Sequence, residues 1–265
     1  MTIMNMNLQG QPEINMNTNI LDIVIPQQME ENIPTGIPHI NHLFAGDGIT
    51  PSTSSLVTGI PGSGKTTMML QLADSITASG NVAIYNTGEE SLFQVRRVVR
   101  RLGLRHGFIP GYERSVQEII ERANEISAAN PGKKVFLFVD SLQCVELDRT
   151  TGQRGRDPNQ GNREVRVTER LTTWAKETFN VCMIIGQVKK DGQFAGKQAI
   201  LHTVDCHLHL DQDRDRRSET YGERIAAMEK NRFGTSGTFY QFNLESRGIQ
   251  FEADNPTAIV SDDDI

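Results

Sequence analysis

The residues best suited to chemistry lie in one stretch, Gly59-Ile60-Pro61-Gly62-Ser63-Gly64-Lys65-Thr66-Thr67. It fits G-x-x-x-x-G-K-[ST]. Glycines let backbone N–H groups close around a phosphate, the lysine reaches the outer phosphates, and the Thr66 hydroxyl binds Mg²⁺. Gly59, Pro61, Gly62, Ser63, Gly64, Lys65, Thr66 and Thr67 are therefore candidate nucleotide-binding residues, with ATP and Mg²⁺ as cofactors. Acids elsewhere complete the set. Asp140 ends the apolar run Val135-Phe136-Leu137-Phe138-Val139, and a carboxylate at that point stands beside the phosphate loop, able to hold the Mg²⁺ shell. Glu89 and Glu90, in Asn86-Thr87-Gly88-Glu89-Glu90-Ser91, follow another apolar run. A carboxylate there can orient and deprotonate a water in line with the γ-phosphate, and Glu89 is the preferred base; acids here also suit the first turn of a helix.

These groups need a strand running into the phosphate loop and a helix leaving it, so that the anion meets a helix N-terminus. Residues 54–58 read as a buried strand, and residues 66–79 carry Met69, Leu70, Leu72, Ala73 and Ile76 at helical spacing before Gly80. Further strands are expected at 82–86, 135–140, 181–187 and 204–210, and helices at 91–102, 115–129 and 163–178. The alternation predicts an α/β fold: a mainly parallel central sheet flanked by helices, with the ligand at the carboxyl ends of the strands. Ile225-Ala226-Ala227-Met228 and residues 237–244 read as antiparallel strands at the C-terminal edge of the sheet.

The chain has 265 residues, 37% of them hydrophobic, which is enough for one sizeable domain. Cys144, Cys182 and Cys206 lack paired spacing, which suggests reduced thiols. With no apolar run of membrane-spanning length and no signal-peptide order at the start, the sequence is expected to be cytoplasmic, without a membrane partner. The net charge of −6 is unevenly spread: residues 1–64 and 249–265 each hold five acids and no Lys or Arg, so the middle carries all 27 basic residues against 23 acids. The body can therefore still face a polyanion. Residues 1–33, rich in Asn, Gln and Met, read as a mobile arm. Its run Ile20-Leu21-Asp22-Ile23-Val24-Ile25 resembles a short strand that pairs with a neighbour's sheet edge or packs on its own domain. Residues 34–251 form the expected domain and 252–265 an acidic tail.

Taken in order, Thr35-Gly36-Ile37, the phosphate loop, Gly88-Glu89-Glu90-Ser91, Val139-Asp140-Ser141-Leu142-Gln143, Lys190-Asp191-Gly192, Ala195-Gly196 and Lys230-Asn231-Arg232-Phe233-Gly234 resemble the ATPase core of the RadA (Sms) family, RecA-superfamily DNA repair proteins. The resemblance covers roughly residues 33–250, and its most specific piece is the KNRFG motif. It implies a RecA-like fold, a homo-hexameric ring (a filament being the other arrangement) and ATP-driven movement on single-stranded DNA in recombination and branch migration. In that family the Lys and Arg of KNRFG are associated with nucleotide in the adjoining subunit, which carries over to Lys230 and Arg232. The usual four-cysteine zinc finger and Lon-protease-like domain do not occur in this sequence. Gly186-Gln187 stands where the family usually has Gly-His; it resembles RecA and DnaB-type helicases, in which a Gln senses the γ-phosphate.

Two basic segments are candidates for DNA. Residues 149–166 hold Arg149, Arg154, Arg156, Arg163 and Arg166 among glycines, and residues 186–202 add Lys189, Lys190 and Lys197. The resemblance places both on the ring's central axis. Cys206-His207-Leu208-His209 reads as structural, since strand alternation separates Cys206 from the two imidazoles and no second Cys/His pair is evident. Asp211, Asp213, Arg214, Asp215, Arg216 and Arg217 read as a solvated loop. The expected function is an ATP-hydrolysing motor on single-stranded DNA in recombination and repair. The alternatives are a replicative-helicase-type motor and a KaiC-like ring acting on protein partners without DNA.

Overall fold

The computed structural model describes residues 15–147, 163–187, 197–252 and 257–258. Pro38 opens α1 (Pro38–Phe44) at a first-turn position, where its missing N–H costs nothing. The phosphate-loop strand is β1 (Ser54–Gly59), and α2 (Lys65–Ala78) follows it, burying Met68, Met69, Leu72 and Ile76. Each such side chain contributes about 1.5–3 kcal/mol by leaving water. Next come β2 (Val82–Thr87) and α3 (Leu92–Leu102), which starts on a Ser91/Gln94 capping box and stops at Gly103 in the left-handed region. A short β3 (Ile109–Gly111) precedes α4 (Val116–Ala129), capped by the Ser115 hydroxyl. Then follow β4 (Val135–Asp140), α5 (Arg163–Thr178), β5 (Val181–Ile185), α6 (Lys197–Thr203) and β6 (Cys206–Gln212). The chain ends in β7 (Arg224–Asn231), β8 (Thr238–Glu245), β9 (Gly248–Phe251) and β10 (Thr257–Ala258).

The strands form one sheet in the order β10-β8-β7-β6-β1-β5-β4-β2-β3, with β9 paired to β8. β1 to β6 run parallel and the later strands are antiparallel, as the sequence led us to expect. β1, β2, β4 and β5 are buried along their whole length, the continuous apolar pattern of strands covered on both faces. Alternate residues feed two cores. Val57, Phe136 and Phe138 pack with α1, α2 and α3, while Leu56, Leu137 and Val139 pack with α4, α5 and α6.

Three expectations change. The run 20–25 does not form a strand: residues Ile20–Asp22 make a 3₁₀ turn, because the Asn19 side chain accepts from Leu21 N–H while Asp22 Oδ2 accepts from Asn19 N–H. Asn32 and Ile33, assigned to the arm, join the body: Ile33 is buried and pairs with Ile49, and the Asn32 side chain bonds Asp47 and Thr50. The third is Arg214, which leaves the solvated loop read from sequence to bond the phosphate loop. Residues Arg149, Arg154, Arg156, Lys189 and Lys190 and most of the acidic tail lie outside the described residues. Lys197 begins α6.

Candidate nucleotide site

The phosphate loop leaves β1 through Gly59, whose φ of 149° and surroundings exclude a side chain: a Cβ there would stand 2.2 Å from the Leu210 carbonyl oxygen. Gly62 and Gly64 also have positive φ, and Gly64 is the N-cap of α2, so the loop's N–H groups and the helix's positive end share one concavity. Lys65 Nζ donates to the carbonyls of Gly59 (2.6 Å) and Ile60 (3.0 Å). Burial lowers the Lys65 pKa from its usual value, and the nearby Asp140 and Glu89 charges oppose that effect.

Asp140 is buried at the end of β4. Its Oδ2 accepts from the Thr66 hydroxyl (2.9 Å) and from the Tyr85 hydroxyl, and its peptide to Ser141 is cis. Burial raises the Asp140 pKa above the ordinary carboxylate range; the two hydroxyl bonds and the Lys65 charge pull the other way. The register sets Thr87 beside Asp140, which brings the Gly88–Glu89 turn against the end of β4. Gly88 is needed there, since a Cβ would meet Cys144 Cβ at 2.4 Å. Glu89 accepts from the Ser141 hydroxyl, and both its oxygens accept from the Gln187 amide, at 2.8 and 2.9 Å.

Lys65, Thr66, Thr67, Glu89, Asp140 and Gln187 thus line one cavity of about 310 Å³, together with Pro61, Gly62, Gly64, Ile185 and Leu244. Glu90 does not line it. Its carboxylate faces a separate groove with Arg97, Arg100 and Arg101, and its pKa is raised by burial first, then by the Asp140 and Glu89 charges. The donor set fits Mg²⁺, a hard cation that takes oxygen ligands, through the Thr66 hydroxyl and the Asp140 carboxylate. A triphosphate fits the loop: Ser63 Oγ is buried there without a hydrogen-bond partner among the described residues.

Sequence reasoning missed four contributors. Tyr85 and Ser141 hold Asp140 and Glu89. Arg214 Nη2 donates to the Pro61 carbonyl (2.9 Å) and Arg224 Nη1 to that of Gly62 (3.2 Å), so two guanidiniums from β7 and its preceding loop brace the rim. Burial, then the adjacent Arg214, lowers the Arg224 pKa. Tyr85 carries no sequence signal and Ser141 stood only as part of the Val139–Gln143 stretch; Arg214 lay in a charged run that resembles any surface loop, and Arg224 stands at the start of β7.

Lys230 and Arg232 are not at this cavity. Lys230 Nζ donates to the carbonyls of Leu201 in the last turn of α6 (2.6 Å) and of Val204 just beyond it (2.7 Å), and Arg232 pairs with buried Asp205 at 2.9 Å. Lys230 lies opposite His207, itself beside Leu56, three residues before Gly59; at about 3.3 Å per residue this is roughly 10 Å down the sheet from the phosphate loop. The rest of the motif is an anchor. Asn231 Nδ2 donates to the Phe44 carbonyl, and Gly234 is required because a Cβ would stand 2.4 Å from that same oxygen. Arg163 donates to the Gln143 carbonyl (3.0 Å) at the start of α5, and Arg166 is exposed one turn on.

A strand–phosphate loop–helix unit on a mainly parallel sheet, with one acid at the carboxyl end of β4 and another in the turn after β2, is a RecA-like P-loop ATPase fold. Residues 33–130 match the family described as "ATPase: KaiC". The chain is homologous to proteins named DNA repair protein RadA: it is 33% identical over 217 residues to that of Mycobacterium tuberculosis strain H37Rv and 32% over 237 residues to that of Haemophilus influenzae. These matches take in 82% and 89% of this chain but 42% and 48% of the relatives, so it spans less than half the length of each. Among solved structures it is similar to a DnaB-like replicative helicase (TM-score 0.67, 17% identity, 83% of this chain and 61% of that one). It is also similar to a KaiC-like protein from the archaeon Pyrococcus horikoshii (TM-score 0.65, 18% identity, 84% and 99%). No helix among the described residues is long and apolar enough to cross a membrane.

Proposed function

We propose that the chain is an ATP-hydrolysing, single-stranded-DNA-binding motor of recombination and repair that works as a homo-oligomeric ring in the cytoplasm. The observation that carries the chemistry is the pairing of Glu89 with Gln187 across the cavity from Lys65. Glu89 takes a proton from the attacking water while Lys65 and the loop N–H groups stabilise charge on the transferring phosphoryl group. Bound between Thr66 and Asp140, Mg²⁺ would neutralise charge on the phosphate oxygens. Gln187 stands two residues past β5 and just before Lys189 and Lys190, so the residue that reports the γ-phosphate adjoins one DNA-facing segment; Arg149, Arg154, Arg156, Arg163 and Arg166 form the other, with Lys197 beyond. Lys230 and Arg232, a strand's length from their own phosphate loop, act on nucleotide bound by the next subunit.

The RadA homologues favour DNA as the polymer, and the test is ATP hydrolysis with and without single-stranded DNA across a salt series. Hydrolysis is expected to rise with DNA. The logarithm of affinity for a labelled oligonucleotide should fall by about 0.7 per phosphate neutralised for each unit of log salt, and replacing Arg154 and Arg156 by Ala should flatten that slope by up to about 1.4. No DNA binding at low salt with ATP present overturns the motor and leaves a ring acting on protein partners.

A further inference from the structure

His207 and His209 alternate on β6, so both imidazoles stand on the α6-side face of the sheet, with ring centroids 6.0 Å apart. Two His at i and i+2 on a strand supply adjacent nitrogens, but hold a metal ion poorly without a third group. The fold supplies one. Regular pairing would set Glu229 opposite Leu208, on the opposite, apolar face. The register instead slips between His207 and Leu208, with Lys230 opposite His207 and Met228 opposite Leu208. Glu229 is the extra residue of this bulge, and its Oε2 lies 2.8 Å from His207 Nδ1. One ligand atom from each of His207, His209 and Glu229 lies within 4.8 Å of the others.

We propose that His207, His209 and Glu229 form a binding site for a divalent transition-metal ion of the Zn²⁺ type. Two neutral imidazoles and a carboxylate are a Zn²⁺ donor set, whereas Mg²⁺ and Ca²⁺ select all-oxygen shells. The burial gradient suits entry from one side: His207 is buried, His209 half-buried and Glu229 exposed. Thr58 Oγ is the fourth group at the site, 2.6 Å from His207 Nε2 and 2.7 Å from His209 Nδ1. One hydroxyl has a single proton, so it donates to one ring and accepts from the other. A cation bound there ties together β1, β6 and β7 one residue before Gly59, where Leu210 already packs against the loop. Its role is a cross-strand clamp beneath the nucleotide site, independent of whether that site turns over ATP.

The test uses the full chain, stripped with a chelator and dialysed without nucleotide in excess Mg²⁺, so that the Thr66–Asp140 oxygens are not the site that reports. Co²⁺ is titrated by its visible absorption and Zn²⁺ by competition and by metal content after dialysis. The expected result is one saturable equivalent per chain, a spectrum of nitrogen ligation and a raised urea midpoint. His209→Ala and Glu229→Gln, at less buried positions, should each weaken binding at least 10-fold and abolish the midpoint rise, while their metal-free midpoints stay near the parent's. Cys144→Ser should leave binding unchanged. Absence of saturable Co²⁺ or Zn²⁺ binding, or binding that survives both His209→Ala and Glu229→Gln, overturns the site.

Discussion

Two buried aspartates stand near opposite ends of the sheet and are partnered in opposite ways. Asp140, at the carboxyl end of β4, is met among the described residues only by neutral hydroxyls, those of Thr66 and Tyr85, with Lys65 acting through space. Asp205, at the amino end of β6, receives Arg232 (2.9 Å), Lys176 (3.6 Å), the Ser54 N–H (3.1 Å) and the Ser54 hydroxyl (3.0 Å). A carboxylate saturated by cations and donors is an anchor. One held by hydroxyls alone keeps unspent charge in a dry place, which raises its pKa and suits it to a divalent cation. The same residue type thus builds structure at one end of the sheet and a site at the other.

The largest effect expected is at the phosphate end. Lys65→Ala should lower ATP hydrolysis by at least about 10³-fold with the fold intact, since it removes charge from the transferring phosphoryl group without opening the core. Glu89→Gln should retain ATP and lose about 10²–10⁴-fold in turnover, whereas Glu90→Gln should stay close to the parent. Filter binding beside steady-state hydrolysis separates the two. A turnover number unaltered in Glu89→Gln would hand the base's role to Glu90.

A second comparison bears directly on the aspartates. Asp205→Ala should destabilise the fold by an amount near the lower end of the about 3–5 kcal/mol seen for a broken buried pair, because its cations are half-exposed and recover solvent. Asp140→Asn should cost nothing at neutral pH. The folded chain holds the Asp140 proton more tightly than the unfolded chain, so ionising Asp140 costs stability. That cost is absent below about pH 4, the usual carboxylate value, and grows as pH rises through the raised folded value. Relative to the parent, Asp140→Asn should therefore gain between pH 4 and pH 7.5 in urea unfolding without Mg²⁺. Equal losses for the two variants would erase the distinction drawn here.

The smallest effect is at the rim. Arg214 and Arg224 each give the loop one hydrogen bond from an exposed or half-buried position, so Arg214→Ala and Arg224→Ala should weaken nucleotide binding by only about 3–10-fold, with the maximal rate little changed. A fall in kcat as large as that of Lys65→Ala would move these arginines from bracing the loop to acting on phosphate.

Local patterns told most of the architecture. The phosphate loop, its strand and its helix were legible because the motif requires glycines at fixed spacing and the flanking periodicities differ; the strand end at Asp140 followed from an apolar run that stops at an acid, and Glu89 from its place just past the end of β2. The helix at 163–178 was placed to the residue, whereas β3, α1 and α6 escaped notice, being only three to seven residues long. The run 20–25 misled because its apolar content outweighed a competing Asn19 cap visible only as a bond.

What the sequence by itself determined is the fold class and the phosphate-binding chemistry, both of which rest on neighbours along the chain. Only the tertiary structure decided which glutamate enters the cavity, which donors flank Asp140, that Lys230 and Arg232 lie away from their own phosphate loop, and that a bulge swings Glu229 toward two histidines. The contacts behind them join residues 20 to 98 positions apart. They depend on strand order and register, which no local pattern encodes.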